Sequence, residues 1–290
     1  MEVLETIDEI RRRLYAARRQ GQWITLVPTM GALHEGHLEL FRQAKQGVGT
    51  EGADAPPCVV ASIFVNPTQF GPGEDYRAYP RDLWSDCEKA KQAGVEAIFA
   101  PRAEEMYPPG DTTFVEVGKL GEGLCGSFRP GHFRGVATVV CKLFNIILPD
   151  VAYFGEKDYQ QLKIIERMVQ DLHMPVKVVP VATVREADGL AMSSRNAYLS
   201  AAERQAAPAL YQGLLAAQVR AAKGEKNAAA LLAEARTIIE KEPLFKIEYL
   251  ELRQADTLET IESITGPAVL AVAARIGQAR LIDNILIKVP

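Results

Sequence analysis

The chain has 290 residues, of which 48% are hydrophobic and 24% charged, a composition typical of a globular protein with a sizeable core. Its net charge of −4 gives no overall positive field for nucleic acid or an anionic membrane, so we expect any anionic ligand to be held by local positive charge. The four cysteines lie far apart without a C-x-x-C pair, the N-terminus shows no signal-peptide pattern, and no apolar run is long enough to cross a bilayer. These features predict a soluble cytoplasmic protein without a disulfide scaffold.

The first two thirds of the chain alternate between helix-like and strand-like segments. In chain order, hydrophobic periodicity predicts helix 6–19, strand 23–28, helix 37–45, strand 58–65, helix 81–93, strand 95–100, helix 134–148, strand 151–154, helix 158–172 and strand 175–183. This alternation is typical of an α/β fold, and it predicts a Rossmann-like parallel sheet with helices on both faces over residues 1–185.

The chain changes character after about residue 185. Ser200 and Glu203 form a capping-box pattern that predicts the start of a long Ala-rich helix, despite Pro208 inside it. A second helix at 227–242 and strands at 246–253, 268–275 and 280–288 follow, with Gly277 in the turn of a hairpin. We therefore expect a smaller α+β domain over residues 186–290, whereas the polar segment 47–57 is predicted to be a surface loop.

Unusual residues follow one predicted strand after another. They form the segments PTMGALHEGH, NPTQFGPGED, GEKD and READGLAMSSRN. Ligands of open parallel sheets bind beyond the carboxyl ends of the strands. This placement predicts a ligand site at that edge of the sheet.

The pair His34 and His37 allows three interpretations. A zinc-protease helix needs H-E-x-x-H, and Leu38 stands where its second histidine belongs, so the metal interpretation is disfavoured. The pair could simply cap a helix on a polar surface. Alternatively, a strand, a glycine-containing turn and a helix N-terminus with outward-pointing backbone N–H groups form an anion site, in which imidazoles donate hydrogen bonds to phosphate.

Four further segments each have a structural and a functional interpretation. Lys157 lies in a charged turn where Asp158 could be an N-cap, or it reaches a phosphate. Arg195 and the serines of MSSRN suit a phosphate, although an interdomain turn with a capping serine is equally compatible with the pattern. The segment 62–82 could be a mobile lid, and the positively charged segment 127–136 suggests an anionic partner or a simple surface turn.

No serine, cysteine or carboxylate pair has the surroundings of a nucleophile, and no G-x-S-x-G motif occurs. This favours catalysis by positioning and charge stabilisation, as phosphoryl or nucleotidyl transfer requires.

Five segments together closely resemble the pantothenate synthetase (pantoate–β-alanine ligase) family of HxGH nucleotidylyltransferases. They are PTMGALHEGH, SIFVNPTQF, RPGHFRGV, FGEKDYQQL and MSSRNAYLS. The resemblance implies an ATP-dependent condensation of (R)-pantoate with β-alanine through pantoyl adenylate, giving pantothenate, AMP and pyrophosphate. It also implies a homodimer and a C-terminal domain that forms a lid.

The resemblance also implies the site residues. The residues expected to hold ATP are Met30, Gly31, Ala32, Leu33, His34, Glu35, Gly36, His37, Gly155, Glu156, Lys157, Asp158, Val184, Met192, Ser193, Ser194 and Arg195. Catalysis is expected from His34, His37, Lys157 and Arg195. The residues expected around pantoate and β-alanine are Gln69, Gln161 and Asn66, with Arg129 and His132 further out. Mg²⁺ would arrive with ATP, near Asp158.

Two other hypotheses remain: another enzyme of the same superfamily, and a nucleotide sensor that has lost catalysis. NPTQF and GEKDYQQL argue against the first, and the intact His34, His37, Lys157 and Arg195 argue against the second. The acidic composition disfavours an RNA-binding module.

Overall fold

A computed structural model describes residues 1–50 and 55–288 as helices and strands in alternation. The helices are α1 (Ile7–Arg19), α2 (Glu35–Lys45), α3 (Leu83–Gln92), α4 (Ala103–Met106), α5 (Cys125–Phe128), α6 (His132–Ile147), α7 (Tyr159–Asp171), α8 (Ala201–Ala206), α9 (Ala209–Ala222) and α10 (Ala228–Ile239). The strands are β1 (Glu2–Leu4), β2 (Ile24–Thr29), β3 (Cys58–Ile63), β4 (Ala97–Phe99), β5 (Val151–Gly155), β6 (Lys177–Val181), β7 (Phe245–Gln254), β8 (Ala268–Ile276) and β9 (Ala279–Ile287). Residues 51–54 of the predicted 47–57 loop lie outside the described residues.

The first six strands form one parallel sheet in the order β1-β4-β3-β2-β5-β6. Successive side chains of a strand point to opposite faces, and in β2 both Leu26 and Val27 are fully buried. Helices therefore cover both faces of this sheet, which confirms the predicted α/β fold. Strand β1 was not predicted, because three residues are too few to show a period.

The last three strands form an antiparallel sheet in the order β7-β8-β9. Ile276 pairs with Ala279 across a two-residue turn, in which Gly277 has a φ of +53°. This confirms the predicted hairpin. Helices α9 and α10 pack with this sheet around one apolar core.

The single Ala-rich helix predicted after Ser200 is wrong. The capping box is present, but α8 ends at Ala206 and α9 begins at Ala209. Pro208 lacks the N–H that a continuous helix needs, and its ring collides with the preceding turn. It therefore starts the second helix.

Contacts divide the chain into two compact units. The N-terminal unit comprises Met1–Gly121, Arg129–Glu156 and Gln161–Ala182, and the C-terminal unit comprises Glu122–Phe128, Lys157–Gln160 and Thr183–Pro290. Among the described helices, none has the length and apolar character needed to cross a membrane.

Candidate active site

The paired histidines open helix α2 directly after the turn that follows β2. His34 is the N-cap residue, and its Nδ1 accepts a hydrogen bond from the backbone N–H of Gly36 at 3.2 Å. In return, Nδ1 of His37 accepts from the backbone N–H of His34 at 3.3 Å. The two rings lie 4.1 Å apart between centroids. The pair is thus a reciprocal capping box built from imidazoles instead of the usual serine and glutamate.

This cap fixes the chemistry that the rings present. A neutral imidazole carries one proton, and a ring nitrogen that accepts a hydrogen bond cannot also bear it. With Nδ1 accepting in both His34 and His37, each neutral ring carries its proton on Nε2. The helix-cap interpretation and the anion interpretation are therefore compatible, since the cap uses Nδ1 of each ring and the donor of each neutral ring is Nε2–H.

The backbone of this loop is engaged within the chain. Each of the following residues donates its backbone N–H to an oxygen or nitrogen of the same chain: Gly31, Ala32, Leu33, His34, Gly36 and His37. The expectation of outward-pointing N–H groups is wrong for these residues, because Asp86, Thr29 and the histidines already satisfy them. If an anion binds at this loop, the imidazoles rather than these N–H groups would be its donors.

Two buried amides follow strand β3. Asn66, which is 1% exposed, caps the short 3₁₀ helix Pro67–Gln69 and donates from Nδ2 to Oε1 of Gln69 at 3.0 Å. This bond engages Oε1 of the buried Gln69 amide, whose Nε2 lies 3.1 Å from Sδ of Met30. A thioether is a weak acceptor, so Nε2 is suited to a carboxylate or hydroxyl oxygen. The same contact brings the histidine loop and the amide pair together.

The orientation of Asn66 is itself fixed. Its Oδ1 accepts from Oγ1 of Thr68 and from the phenol of Tyr107, each at 2.9 Å, and its Nδ2 also donates to the carbonyl of Gly135 at 3.1 Å. Burial raises the pKa of Tyr107, so the phenol keeps its proton and remains a donor. Sequence reasoning missed Tyr107, because it lies 41 residues from Asn66 and belongs to no motif.

Arg129 and His132 both contact the backbone carbonyl oxygen of Gln69. The Arg129 guanidinium binds both carboxylate oxygens of Glu74, at 2.7 and 2.6 Å, and lies 2.9 Å from Nε2 of His132. Nδ1 of His132 lies 2.8 Å from the carbonyl oxygen of Gln69. Since a carbonyl only accepts and a guanidinium only donates, the His132 proton is on Nδ1, the opposite tautomer to His34 and His37.

The positive charge predicted for segment 127–136 is partly balanced within the chain. Burial raises the pKa of Glu74, but the hydrogen bonds and charge of Arg129 outweigh it, so the pKa lies below its ordinary value. Arg134 lies over the ring of Phe114, 4.8 Å from its centroid. This loop therefore does not by itself indicate an anionic partner.

In the C-terminal unit, Lys157 and Asp158 lie in a 3₁₀ turn, Glu156–Asp158, before α7. The Lys157 ammonium lies 3.8 Å from Oδ2 of Asp158. Asn284 of β9 donates from Nδ2 to the carbonyl oxygen of Lys157 at 2.9 Å, a contact across 127 residues that no motif signals. Of the other predicted residues near this turn, Gly155 ends β5 and Gln161 lies in α7.

The segment 183–198 folds back on itself in the same unit. The backbone N–H of Met192 donates to the carbonyl of Val184 at 3.0 Å. Ser193 caps a 3₁₀ helix, Ser194–Tyr198, and accepts from the N–H of Arg195 at 3.3 Å, so the predicted capping serine is Ser193. Arg185, next to Val184, makes a bidentate ion pair with the buried Asp283 at 2.6 and 2.9 Å. Strand β9 thus supports both this segment and the Lys157 turn.

No group of three or more His, Cys, Asp or Glu side chains within 1–50 and 55–288 is arranged to hold a metal. The carboxylate of Asp158 is half-exposed and is the predicted residue that could approach a metal. Mg²⁺ commonly keeps water and phosphate oxygens and takes only one or two carboxylates. The donors present therefore fit a Mg²⁺ ion bound mainly by a nucleotide.

Comparison with known proteins identifies the family. The pantoate-beta-alanine ligase family model matches residues 2–286. A pantothenate synthetase of Moorella thermoacetica is 52% identical, with 100% of this chain and 99% of that protein covered, and one of Pelotomaculum thermopropionicum is 54% identical, with 99% of each covered.

Solved structures agree with this assignment. A crystal structure of pantothenate synthetase from Thermus thermophilus is similar with a TM-score of 0.91 and 48% identity, covering 98% of this chain and 99% of that one. One of pantoate-beta-alanine ligase from Francisella tularensis, complexed with beta-gamma ATP and beta-alanine, has a TM-score of 0.78 and 32% identity, covering 99% and 97%. This chain belongs to the pantoate-beta-alanine ligase family.

Proposed function

We propose that this chain is an AMP-forming ligase that condenses (R)-pantoate with β-alanine at the expense of ATP. Family membership over the whole chain supports this activity, and the Francisella relative is a complex with an ATP compound and beta-alanine. The paired histidines carry most weight among the structural features, because their cap presents two Nε2–H donors suited to a developing negative charge.

The reaction has two displacements. In the first, a carboxylate oxygen of pantoate attacks the α-phosphorus of ATP, and the bond to pyrophosphate breaks to give pantoyl adenylate. In the second, the amine of β-alanine attacks the acyl carbon, the bond to AMP breaks, and the amine proton leaves to solvent. Both steps need positioning and charge stabilisation rather than a protein nucleophile.

Negative charge grows on the phosphoryl oxygens as the first step proceeds. We assign its stabilisation to the Nε2–H groups of His34 and His37, the ammonium of Lys157 and the guanidinium of Arg195. The imidazoles act here as hydrogen-bond donors and need not transfer a proton. The other predicted nucleotide-binding residues would surround the phosphates and the nucleoside. They are Met30–Leu33, Glu35, Gly36, Gly155, Glu156, Val184 and Met192–Ser194.

Pantoate is the substrate for which the amides are suited. Asn66 holds the Gln69 amide so that its Nε2–H₂ can donate to a pantoate oxygen, and Gln161 is assigned to the same substrate. Arg129 and His132 hold the Gln69 backbone and so act as positioning groups.

Mg²⁺ bound with ATP would neutralise phosphate charge, with Asp158 as the nearby carboxylate. We also propose, on the basis of the resemblance, that the protein is a homodimer. We place it in the cytoplasm, because its four cysteines all have free thiols and a reducing compartment keeps thiols free. The lid function of residues 186–290 stays a prediction.

The first experiment is pantoate-dependent exchange of labelled pyrophosphate into ATP, with Mg²⁺ and without β-alanine. We expect exchange, followed by AMP and pantothenate when β-alanine is added. No exchange in a protein that still binds ATP would contradict the proposal and favour another acid substrate or a nucleotide sensor.

Two variants test the assigned roles in the same assay. His37→Ala and Lys157→Ala are expected to abolish exchange without loss of the folded state. Lys241→Ala, an exposed lysine in the C-terminal unit, is the matched control and should exchange like the wild type. Normal exchange by either active-site variant would remove that residue from the mechanism.

A further inference from the structure

We infer that Asp86 and Lys89 of helix α3 are positioning residues that hold the turn before the paired histidines in its working geometry. Neither residue belongs to a motif of the family resemblance. Asp86 lies 54 residues from Ala32 and Lys89 lies 56 from Leu33, yet both side chains bond to the backbone of this turn. This inference rests on the proposed function, because it concerns the histidines assigned to the adenylation step.

Asp86 holds the turn through its N–H groups. The residue is 2% exposed, and its Oδ2 and Oδ1 accept from the N–H of Ala32 at 2.9 Å and of Leu33 at 2.7 Å. A carboxylate is the side chain that can accept two such bonds with no donor of its own. The buried carboxylate thus shapes this backbone.

The turn needs such a restraint because its backbone is strained. Gly31 has a φ of +83°, and Ala32, which has a side chain, has a φ of +51°. Residues with a Cβ rarely adopt this region and persist there only when the surroundings determine it. A Cβ on Gly31 would lie 2.8 Å from Oδ2 of Asp86, so the carboxylate lies directly against the turn.

Lys89 lies one helical turn further along α3 and binds the same turn before the histidines. Its Nζ donates to the carbonyl oxygen of Leu33 at 2.9 Å. The N–H and the carbonyl of Leu33 are therefore both bound by α3, and the next residue is His34, the N-cap of α2. Because reacting groups lose much of their effect when displaced by about 1 Å, a fixed Leu33 fixes where both Nε2–H groups lie.

The variants Asp86→Asn and Lys89→Met test this inference. The first replaces one acceptor oxygen by an NH₂ group that faces a backbone N–H, and the second keeps an unbranched side chain up to the ε position but removes the ammonium donor. Asp82→Asn and Lys91→Met on the same helix are the matched controls, since Asn is as good an N-cap as Asp and Lys91 is exposed. Thermal unfolding and circular dichroism would verify that each variant is folded.

We expect Asp86→Asn to lower the rate of pyrophosphate exchange by about 10- to 100-fold, and Lys89→Met by less, with pantoate affinity by calorimetry unchanged. The ring signals of His34 and His37 in ¹⁵N NMR should move in both variants, whereas those of His132 and His173 should stay. The controls should match the wild type in every measurement.

A folded Asp86→Asn variant with wild-type exchange and unmoved histidine signals would overturn the inference. So would an equal loss of pantoate affinity, which would indicate a general structural role. If Asp86→Asn does not fold, Lys89→Met decides by the same criteria. The histidine signals also separate the two proposals, because they test the hold on the turn even if the wild-type chain does not catalyse exchange.

Discussion

The histidines of the N-terminal unit show how neighbouring groups select the chemistry of a side chain. His34 and His37 accept backbone N–H groups at Nδ1, whereas His132 donates from Nδ1 to a carbonyl and accepts from Arg129 at Nε2. The same residue type thus presents an Nε2–H donor in one place and a buried support in another.

This arrangement predicts tautomers that can be measured. In long-range ¹H–¹⁵N spectra at alkaline pH, where imidazoles are neutral, we expect the Nε2–H pattern for His34 and His37 and the Nδ1–H pattern for His132. Single His→Gln variants assign the signals, and the exposed His173 serves as an internal reference. The same pattern for His132 and His37 would contradict the hydrogen bonds described above.

The contact between helix α6 and the Pro67–Gln69 turn shows the role of a glycine in the RPGHFRGV segment. A Cβ on Gly135 would lie 2.4 Å from the carbonyl oxygen of Thr68 and 2.7 Å from Cα of Gln69. Both neighbours are backbone atoms, which cannot rotate away. Glycine is therefore required here for close approach of two elements, and the Gly135 carbonyl then receives the Asn66 amide.

Gly135→Ala should therefore push the turn and Gln69 away from α6. We expect a loss of about 1–3 kcal/mol in the free energy of unfolding, and a drop in pantoate affinity by calorimetry larger than the drop in ATP affinity. Gly118→Ala is the control, because a Cβ there meets no atom within 4 Å. Equal losses of pantoate and ATP affinity would show that the contact does not act through Gln69.

The stability of the whole molecule depends on pH through carboxylates that are bound in the folded state. Glu74 and Arg129 are mostly buried, with 23% and 15% of their side chains exposed. Because the folded-state pKa of Glu74 lies below its ordinary value of 4.5, its contribution is present at neutral pH and is lost as the pH falls through the folded-state pKa.

Glu74→Gln should accordingly lower the free energy of unfolding by about 1–2 kcal/mol at pH 7. The difference from the wild type should shrink as the pH falls from 4.5 through the lower folded-state pKa, because the carboxyl is then protonated first in the unfolded state and finally in the folded state. Denaturant unfolding at a series of pH values measures this, with Glu104→Gln on an exposed carboxylate as the control. A difference that stays constant with pH would exclude the ion pair as its cause.

Local patterns in the sequence determined most of the helices and strands of this protein, its fold class and its family. The alternation of helices and strands, the parallel sheet and the final hairpin follow from periods of about 3.6 and 2 residues, which short segments express by themselves. The predicted helix α1 and its neighbours are close to the observed bounds, and the family follows from five motifs. Short elements such as β1, and the break at Pro208, are errors of that local reasoning.

Only the tertiary structure decided how the motif residues are held. Asp86 meets Ala32 across 54 residues, Tyr107 meets Asn66 across 41, and Asn284 meets Lys157 across 127. A hydrogen bond requires atoms within about 3 Å in space, and separation along the chain carries no such information. The sequence by itself therefore identified the chemistry of the site, whereas its tautomers, amide orientations and backbone supports are fixed by contacts that exist only after the chain has folded.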